Sequence, residues 1–573
     1  MGQMMLLPTN LEELIPENHL VRVISRFVDR MDLSALEAKY KGGGTSSYHP
    51  KMMLKVYLYA YTQKTYSSRR IAKSLRENIH FMWLSGNNRP DHRTINYFRG
   101  RMLAGVIEPI FASLLKLLEE EGYIKLEEYF VDGTKMEANA NRYTFVWAKN
   151  IQRYEKQLKE KVGKLFEEIE KLNQAEDAEY GERDLEEMGE GRSINSEKLV
   201  QRVQELNEQL KSIKQVDQEQ PPKDEPPPGR GGQPELLPGQ DQHPREDKGQ
   251  ADAQLSKVIA NKLKELKQDL AEDPNNKILK KAVKQIEEDY LPRAQKYESQ
   301  TALLAGRNSY SKTDPDATFM RMKDDHMRNG QLKPAYNIQT GTEGRFVVGF
   351  SVHQEVGDTS CLIPHLDKLK GWLGRLPNKV ISDAGYGSEE NYHYLESEQL
   401  GNYLKYASFH KEQKPRYRPD PFRAENMPYD PEQDQFTCPN GRVLNFLYTY
   451  HTKTKNGYLV EPRVYGCEDC QGCPLKEKCT RAAGNRRMKV NFQLWEYRRQ
   501  ARENLRSEEG QRLRKQRSID VESVFGRIKV CWDFHRFLLR GMVKVTVEWG
   551  LLCLAHNLTK VWNALNGPKL VTE

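Results

Sequence analysis

Two short apolar runs each deliver one carboxylate. Tyr129-Phe130-Val131 leads to Asp132 with Gly133 behind it, and Lys379-Val380-Ile381-Ser382 leads to Asp383 with Ala384-Gly385 behind it. β-prone residues that end on an acid and a turn residue predict strands carrying an aspartate to the open end of a sheet. Taken singly, Asp132-Gly133 is also what an ordinary turn looks like. A third acid, Glu522, stands in a basic helical stretch with Lys529 seven residues on, so both fall on one helix face. Asp520 falls roughly opposite, which predicts that Glu522, not Asp520, is aimed at the sheet. Two strand-end aspartates and a helical glutamate make a hard, all-oxygen site suited to Mg2+ or Mn2+. In a two-metal arrangement such a site activates an attacking water or 3′-hydroxyl and stabilises the leaving oxygen of a phosphodiester displacement. No P-loop or Ser/His/Asp order competes with it.

A second constellation is Cys438 followed by Cys467-x2-Cys470-x2-Cys473-x5-Cys479. Thiolates this close in sequence can share one tetrahedral ion, and a small β-rich insert without its own core needs such a staple. Four of the five would bind structural Zn2+, with Cys438 or Cys467 spare; an iron–sulfur cluster is the alternative. Cys361, Cys531 and Cys553 read as core thiols.

The elements that must position these residues follow from the pattern along the chain. Residues 1–125 read as an all-helical N-terminal domain. Basic N-terminal turns at Arg69-Arg70 and Arg93 fit either a helix-turn-helix DNA-binding unit or a plain helical bundle. Residues 146–304 alternate apolar and charged positions at helical spacing, which predicts a coiled-coil insertion, with a disordered Pro/Gly/Gln-rich linker at 215–250. Segments 126–145, 305–407 and 494–565 read as hairpin, helix, strand, helix, strand and closing helices, an α/β mixed sheet with helices on both faces. Residues 408–493 form the cysteine-rich insert.

Composition narrows the classes. In 573 residues, 30% are charged and the net charge is +8, unevenly placed. Arg517, Arg527, Lys529 and Arg540 belong to a cationic run suited to a polyanion. No apolar run approaches the roughly 20 residues that span a bilayer, and the N-terminus lacks a secretory pattern. Few cysteines, mostly clustered, indicate a reducing cytoplasm.

Three motifs together carry a family resemblance: Val131-Asp132-Gly133-Thr134-Lys135 with Glu137-Ala138-Asn139-Ala140, then Ser382-Asp383-Ala384-Gly385-Tyr386-Gly387, then Val521-Glu522-Ser523-Val524-Phe525-Gly526-Arg527-Ile528-Lys529. With Leu554-Ala555-His556-Asn557-Leu558 near the end, the chain resembles bacterial insertion-sequence DDE transposases over nearly its whole length. The resemblance implies an RNase H-like catalytic fold, with Asp132, Asp383 and Glu522 as catalytic metal ligands. Its implied substrates are double-stranded DNA: the terminal inverted repeats and a target. It further implies a dimer or higher assembly in the active complex and a bacterial, nucleoid-associated location. Related transposases place an arginine four residues before the glutamate; position 518 here is Ser, and Arg517 is the neighbouring candidate. A catalytically inactive DNA-binding regulator and a nuclease without strand transfer are the alternatives.

Overall fold

The computed structural model describes residues 10–40, 47–180, 255–322, 330–454 and 456–567. The predicted linker 215–250, and with it the inner ends of the predicted coiled-coil arms, lies outside the described residues. The chain divides into two compact units, Met1–Ile151 with Gln300–Glu573, and Gln152–Ser299. Among the described residues no helix is long and apolar enough to cross a membrane.

The larger unit opens with α1 (Leu20–Arg30), α2 (Ser34–Glu37), α3 (Pro50–Thr62), α4 (Ser68–Glu77), α5 (Ile79–Leu84), α6 (His92–Tyr97) and α7 (Ile107–Glu120). Their starts are chemically marked. His49 caps α3 ahead of Pro50, which tolerates the first helical position because its missing N–H would be unbonded anyway. Asp91 accepts the Thr94 amide at 2.7 Å to start α6. In α1 the spacing of Leu20, Val23, Ile24, Phe27 and Val28 places all five in the core.

Strand β1 (Glu128–Glu137) follows, then β2 (Phe145–Trp147), which pairs with β3 (Ser309–Ser311). The smaller unit is helical. It contains most of α8 (Ala148–Tyr180), then α9 (Leu255–Glu272), α10 (Lys277–Gln285) and most of α11 (Leu291–Leu304). Leu158, Val162 and Ile169 pack with Ile259, Leu263, Leu266 and Val283. The return stretch is broken after α9. Pro274 cannot continue α9, and Asn276 caps a new helix by accepting the Ile278 and Leu279 amides at 3.1 Å.

After β4 (Thr318–Arg321) come β5 (Leu332–Glu343), β6 (Phe346–His353), α12 (Leu362–Leu373), β7 (Lys379–Ser382), α13 (Glu389–Ser397) and β8 (Gly401–Leu404). The six-stranded sheet runs β4 and β6 on one edge, then β5, β1, β7 and β8. β5 is antiparallel to β1, while β1, β7 and β8 are parallel to one another. Alternation along β1 divides the core, as a pleated strand buried on both faces requires. Tyr129 and Val131 join the cluster that includes α1, α3 and α7. Phe130 faces the other way, with Ile381, Tyr403, Leu513 and Val521.

The insert follows, with α14 (Phe409–Glu412), a five-stranded sheet and α15 (Lys476–Cys479). Helices α16 (Phe492–Arg506) and α17 (Glu508–Gly526) then cover the Phe130 face, and α18 (Met542–Asn566) packs on the other. A Cβ at Gly550 of α18 would come within 2.5 Å of Ile107 and 3.1 Å of Phe350, so glycine sets that close approach. Asn557 supplies edge strand β6 with a substitute partner, accepting the Val347 amide at 2.8 Å and donating to its carbonyl at 2.7 Å. The neighbouring His556 meets Arg345 O at 2.9 Å, which gives the Leu554–Leu558 motif a structural meaning.

Buried histidines make this fold acid-sensitive. Burial lowers the His365 and His556 pKa values to about 3 from the usual 6.5. A depressed folded pKa means that the unfolded chain binds more protons between these values. The stabilisation is therefore complete above pH 6.5 and is lost as pH falls toward 3. At pH 5 each residue costs about 2 kcal/mol, roughly 4 kcal/mol together, a large share of ordinary domain stability. Thermal unfolding at pH 5 is expected well below that at pH 7.5; equal midpoints would contradict the assignment.

Candidate active site where two parallel strands meet

β1 pairs with β7 as far as Phe130 opposite Ile381. Asp132 lies two residues past Phe130 and Asp383 two past Ile381, so both fall at the same end of the parallel pair, on the face covered by α17. Asp383 follows the last residue of β7 and accepts the Gly385 amide at 2.9 Å, shaping the turn into Tyr386. Asp132 differs from expectation: its strand does not stop there. β1 runs on to Glu137 because β5 continues to pair with it, Gly133 opposite Gln339. Gly133 is an in-strand glycine, not a turn, and Asp132 sits beside the notch left where β7 ends.

The reason for that glycine is a fourth acid, Asp358, which the motifs did not reveal. Its Oδ1 accepts from Asn337 Nδ2 at 2.8 Å and from Gln339 Nε2 at 2.9 Å. A Cβ on Gly133 would lie 2.4 Å from that oxygen, and one on Gly385 3.6 Å from Asp358 Oδ2. Asp358 is therefore packed against the backbone next to both strand aspartates. Tyr386, fully buried, donates its hydroxyl to Gln339. Burial first, and then the charges of Asp358, Asp132 and Asp383, push its pKa well up, so it remains a neutral donor. Asn337 and Gln339, two polar residues at strand spacing in a buried strand, are the sequence signal that leads to Asp358.

Cations balance these acids. Arg517 of α17 lies 3.4 Å from Asp132, with both side chains 14% exposed. It stands among the carboxylates, not on an outer cationic face. Lys405, also buried, has its pKa lowered by burial and by Arg517 and Arg514, against the opposing pull of Asp383 and Asp132. Glu522 is exposed on α17, five residues beyond Arg517, or about 7.5 Å along the helix. Asp520 corrects the expected facing: it is the acid that is 1% exposed. Gln516 donates to it at 2.9 Å, and the backbone amides of Gly344 and Arg345 lie close by. Val521 and Val524 fix the inward face of α17 and tip it toward Asp520. Lys529 lies in a π-helical segment, Arg527–Cys531, so the i, i+7 relation to Glu522 is not that of a regular helix.

The other basic candidates separate into two groups. Arg69 and Arg93 meet across a cleft of about 620 Å³, joined by Ser67, Tyr97, Arg101 and Lys544. Arg70 is exposed next to that cleft, and Arg540 is exposed with its Nε donating to Asn139 O at 2.7 Å. Arg527 instead turns inward: it is half-buried, and burial lowers its pKa.

All five clustered cysteines line one small cavity. Cys438 Sγ accepts the Arg442 amide and Cys470 Sγ the Arg486 amide, each at 3.3 Å. Cys467 behaves as a thiol, donating to Asp469 O at 3.2 Å. Burial and a hydrogen bond with Cys470 push its pKa up to about 11. Cys361 and Cys553 are buried as expected, but Cys531 is exposed, because the π-helical turn carries it outward.

Comparison with known families gives two matches. Residues 437–562 match a transposase DDE domain family, and residues 9–101 match a transposase domain (DUF772). The first covers Glu522 and the five cysteines and the second helices α1 to α6; Asp132 and Asp383 lie outside both. No curated protein and no solved structure matches the chain. The chain is thus similar at both ends to transposases of the insertion-sequence DDE type.

Proposed function

We propose that this chain, similar to insertion-sequence DDE transposases, is a DNA transposase that cuts at element ends and transfers the 3′-hydroxyl ends to target DNA. The observation that carries the reading is the convergence of Asp132 and Asp383 at one end of the β1–β7 pair. The sheet order β6-β5-β1-β7-β8, three antiparallel strands followed by two parallel ones, supports an RNase H-like catalytic fold.

The donor set fits a hard divalent cation, because every ligand it offers is a carboxylate oxygen. Asp132 and Asp383 would hold Mg2+ or Mn2+, and the third carboxylate of the proposed set is Glu522, which lies exposed on α17 and would have to turn toward the strand ends to reach the ion. When bound, the ions supply Lewis-acid activation of the attacking oxygen and stabilisation of the leaving one. Asp358, fixed by two side-chain amides, holds the two strand ends at a set spacing. Arg517 and Lys405 offset the charge of the acids and orient a scissile phosphate. Water attacks phosphorus and the 3′-oxygen leaves; that hydroxyl then attacks a target phosphodiester, displacing its 3′-oxygen. In the insert, Cys438, Cys470, Cys473 and Cys479 would hold Zn2+ as a closed structural site.

The test is incubation of the protein with element-end DNA, target DNA and Mg2+. Nicked ends and joined products are expected. Nicks without joining would indicate a nuclease, and binding with neither would indicate a regulator.

The Arg69–Arg93 cleft is the surface we assign to duplex phosphates. Ser67 starts α4 without a side-chain cap bond, so the helix N-terminus adds its own positive end to Arg69, Arg93, Arg101 and Lys544. Arg93→Glu combined with Lys544→Glu is expected to weaken DNA binding and to flatten log Kd against log salt by about 1–2 units. An unchanged slope would place the DNA elsewhere.

A further inference from the structure

The connection between β6 and α12 holds a donor set of another chemical kind. Ligand atoms of His353, Glu355 and Cys361 all lie within 4.8 Å of one another. Cys361 is fully buried, while His353 and Glu355 are half-buried, so the group is anchored in the core and open on the carboxylate side. His353 is also held from behind. Its Nε2 shares a 2.6 Å hydrogen bond with Ser351 Oγ, which lies 2.8 Å from His365 Nδ1; His365 Nε2 in turn meets the Tyr129 hydroxyl at 2.8 Å. An imidazole fixed through one nitrogen by an outer partner offers the other in a set orientation, which is the support a metal-ligating histidine ordinarily has.

We propose that His353, Glu355 and Cys361 form a Zn2+ site separate from the catalytic aspartates and from the cysteine-rich insert. Imidazole, thiolate and carboxylate together select a borderline-soft ion, whereas Mg2+ favours the all-oxygen set at Asp132 and Asp383. On binding, the Cys361 thiol loses its proton to solvent and its sulfur becomes a ligand in place of its present 3.3 Å contact with Gly357 O. The three side chains leave a fourth position of the tetrahedron for water.

The placement gives the site a consequence. His353 closes β6 and Cys361 immediately precedes α12, so an ion shared by them ties the two ends of the segment that carries Asp358. Asp358 is the acid packed against Gly133 and Gly385. Zn2+ would therefore fix the spacing of the strand ends from outside the Mg2+ site. That consequence rests on the proposed catalytic reading; the metal site itself does not.

The test is Co2+ and Zn2+ titration of metal-stripped full-length protein, with metal per chain and the sulfur-to-Co2+ absorption band as readouts. Cys361→Ser is expected to bind one equivalent fewer than the unsubstituted chain, whatever the insert binds. Cys473→Ser is expected to leave this site's equivalent in place. Because Cys361 is buried, Glu355→Gln on the open side serves as the second variant, with affinity lowered at least about tenfold and circular dichroism unchanged. Equal stoichiometry in the unsubstituted chain and Cys361→Ser, or unaltered affinity in Glu355→Gln, would overturn the proposal. Strand-transfer activity plays no part in these readouts, so a failed transposase reading would leave them interpretable.

Discussion

Asp383→Asn is expected to abolish Mg2+-dependent cleavage, by at least about 10³-fold, while leaving DNA binding unchanged. Removing one ligand from a site that stabilises developing charge forfeits several kcal/mol, and each 1.36 kcal/mol is tenfold in rate. Asparagine is more informative than alanine here. Asp383 Oδ1 accepts the Gly385 amide at 2.9 Å, and the asparagine carbonyl can accept it too, so the turn into Tyr386 survives while the charge does not. Asp383→Ala would lose both, with the missing turn bond costing about 1 kcal/mol of stability. If the two variants are equally inactive, the charge is the essential property. If Asp383→Asn cuts DNA normally with Mg2+, the aspartate is only a turn residue and the catalytic assignment fails. Binding should persist in both, because Arg69, Arg93 and Lys544 stand on α4, α6 and α18, whereas Asp383 shapes the turn at Gly385.

Much of this arrangement could be read from the chain because it depends on local patterning. The hairpin around Gly344, the strand before Asp383 and the closing helix follow from alternation, a turn glycine and helical spacing, and all three are present in the structure. What could not be read depends on partners distant in sequence. Gly133 resembles a turn residue until β5 is there to pair with it and Asp358 to press on it. Asp358 looks like the start of a helix, since its role is set by Asn337 and Gln339 on another strand. Spacing on α17 correctly separates Asp520 from Glu522, but only the apolar positions Val521 and Val524 decide which side is inward. Pro274 was a local signal that a long amphipathic rhythm concealed.

A second large effect is expected far from the acids. Glu548 on α18 is fully buried, 3.4 Å from Arg99, and its other oxygen accepts the amides of Leu538 and Leu539 at 2.9 Å each. Burial pushes its pKa up, and the Arg99 charge and those two amides pull it back down. Glu548→Ala strands a buried guanidinium and two amides, which costs about 3–5 kcal/mol and lowers the unfolding midpoint by several degrees. The loop it anchors also matters to the site. Phe537 N donates to Glu137 O at 2.9 Å, Arg536 reaches Ala138 O and Ala140 O at 3.1 Å, and Asn139 donates to Leu538 O at 2.6 Å. These bonds hold the far end of the strand that bears Asp132. Replacing both partners, Arg99→Met with Glu548→Met, removes the stranded charge and is expected to recover part of the loss. Recovery should be incomplete, because the Leu538 and Leu539 amides remain without their acceptor. Full recovery would mean that the ion pair alone matters, and no difference between Glu548→Ala and the double variant would mean that the loop amides carry the whole effect.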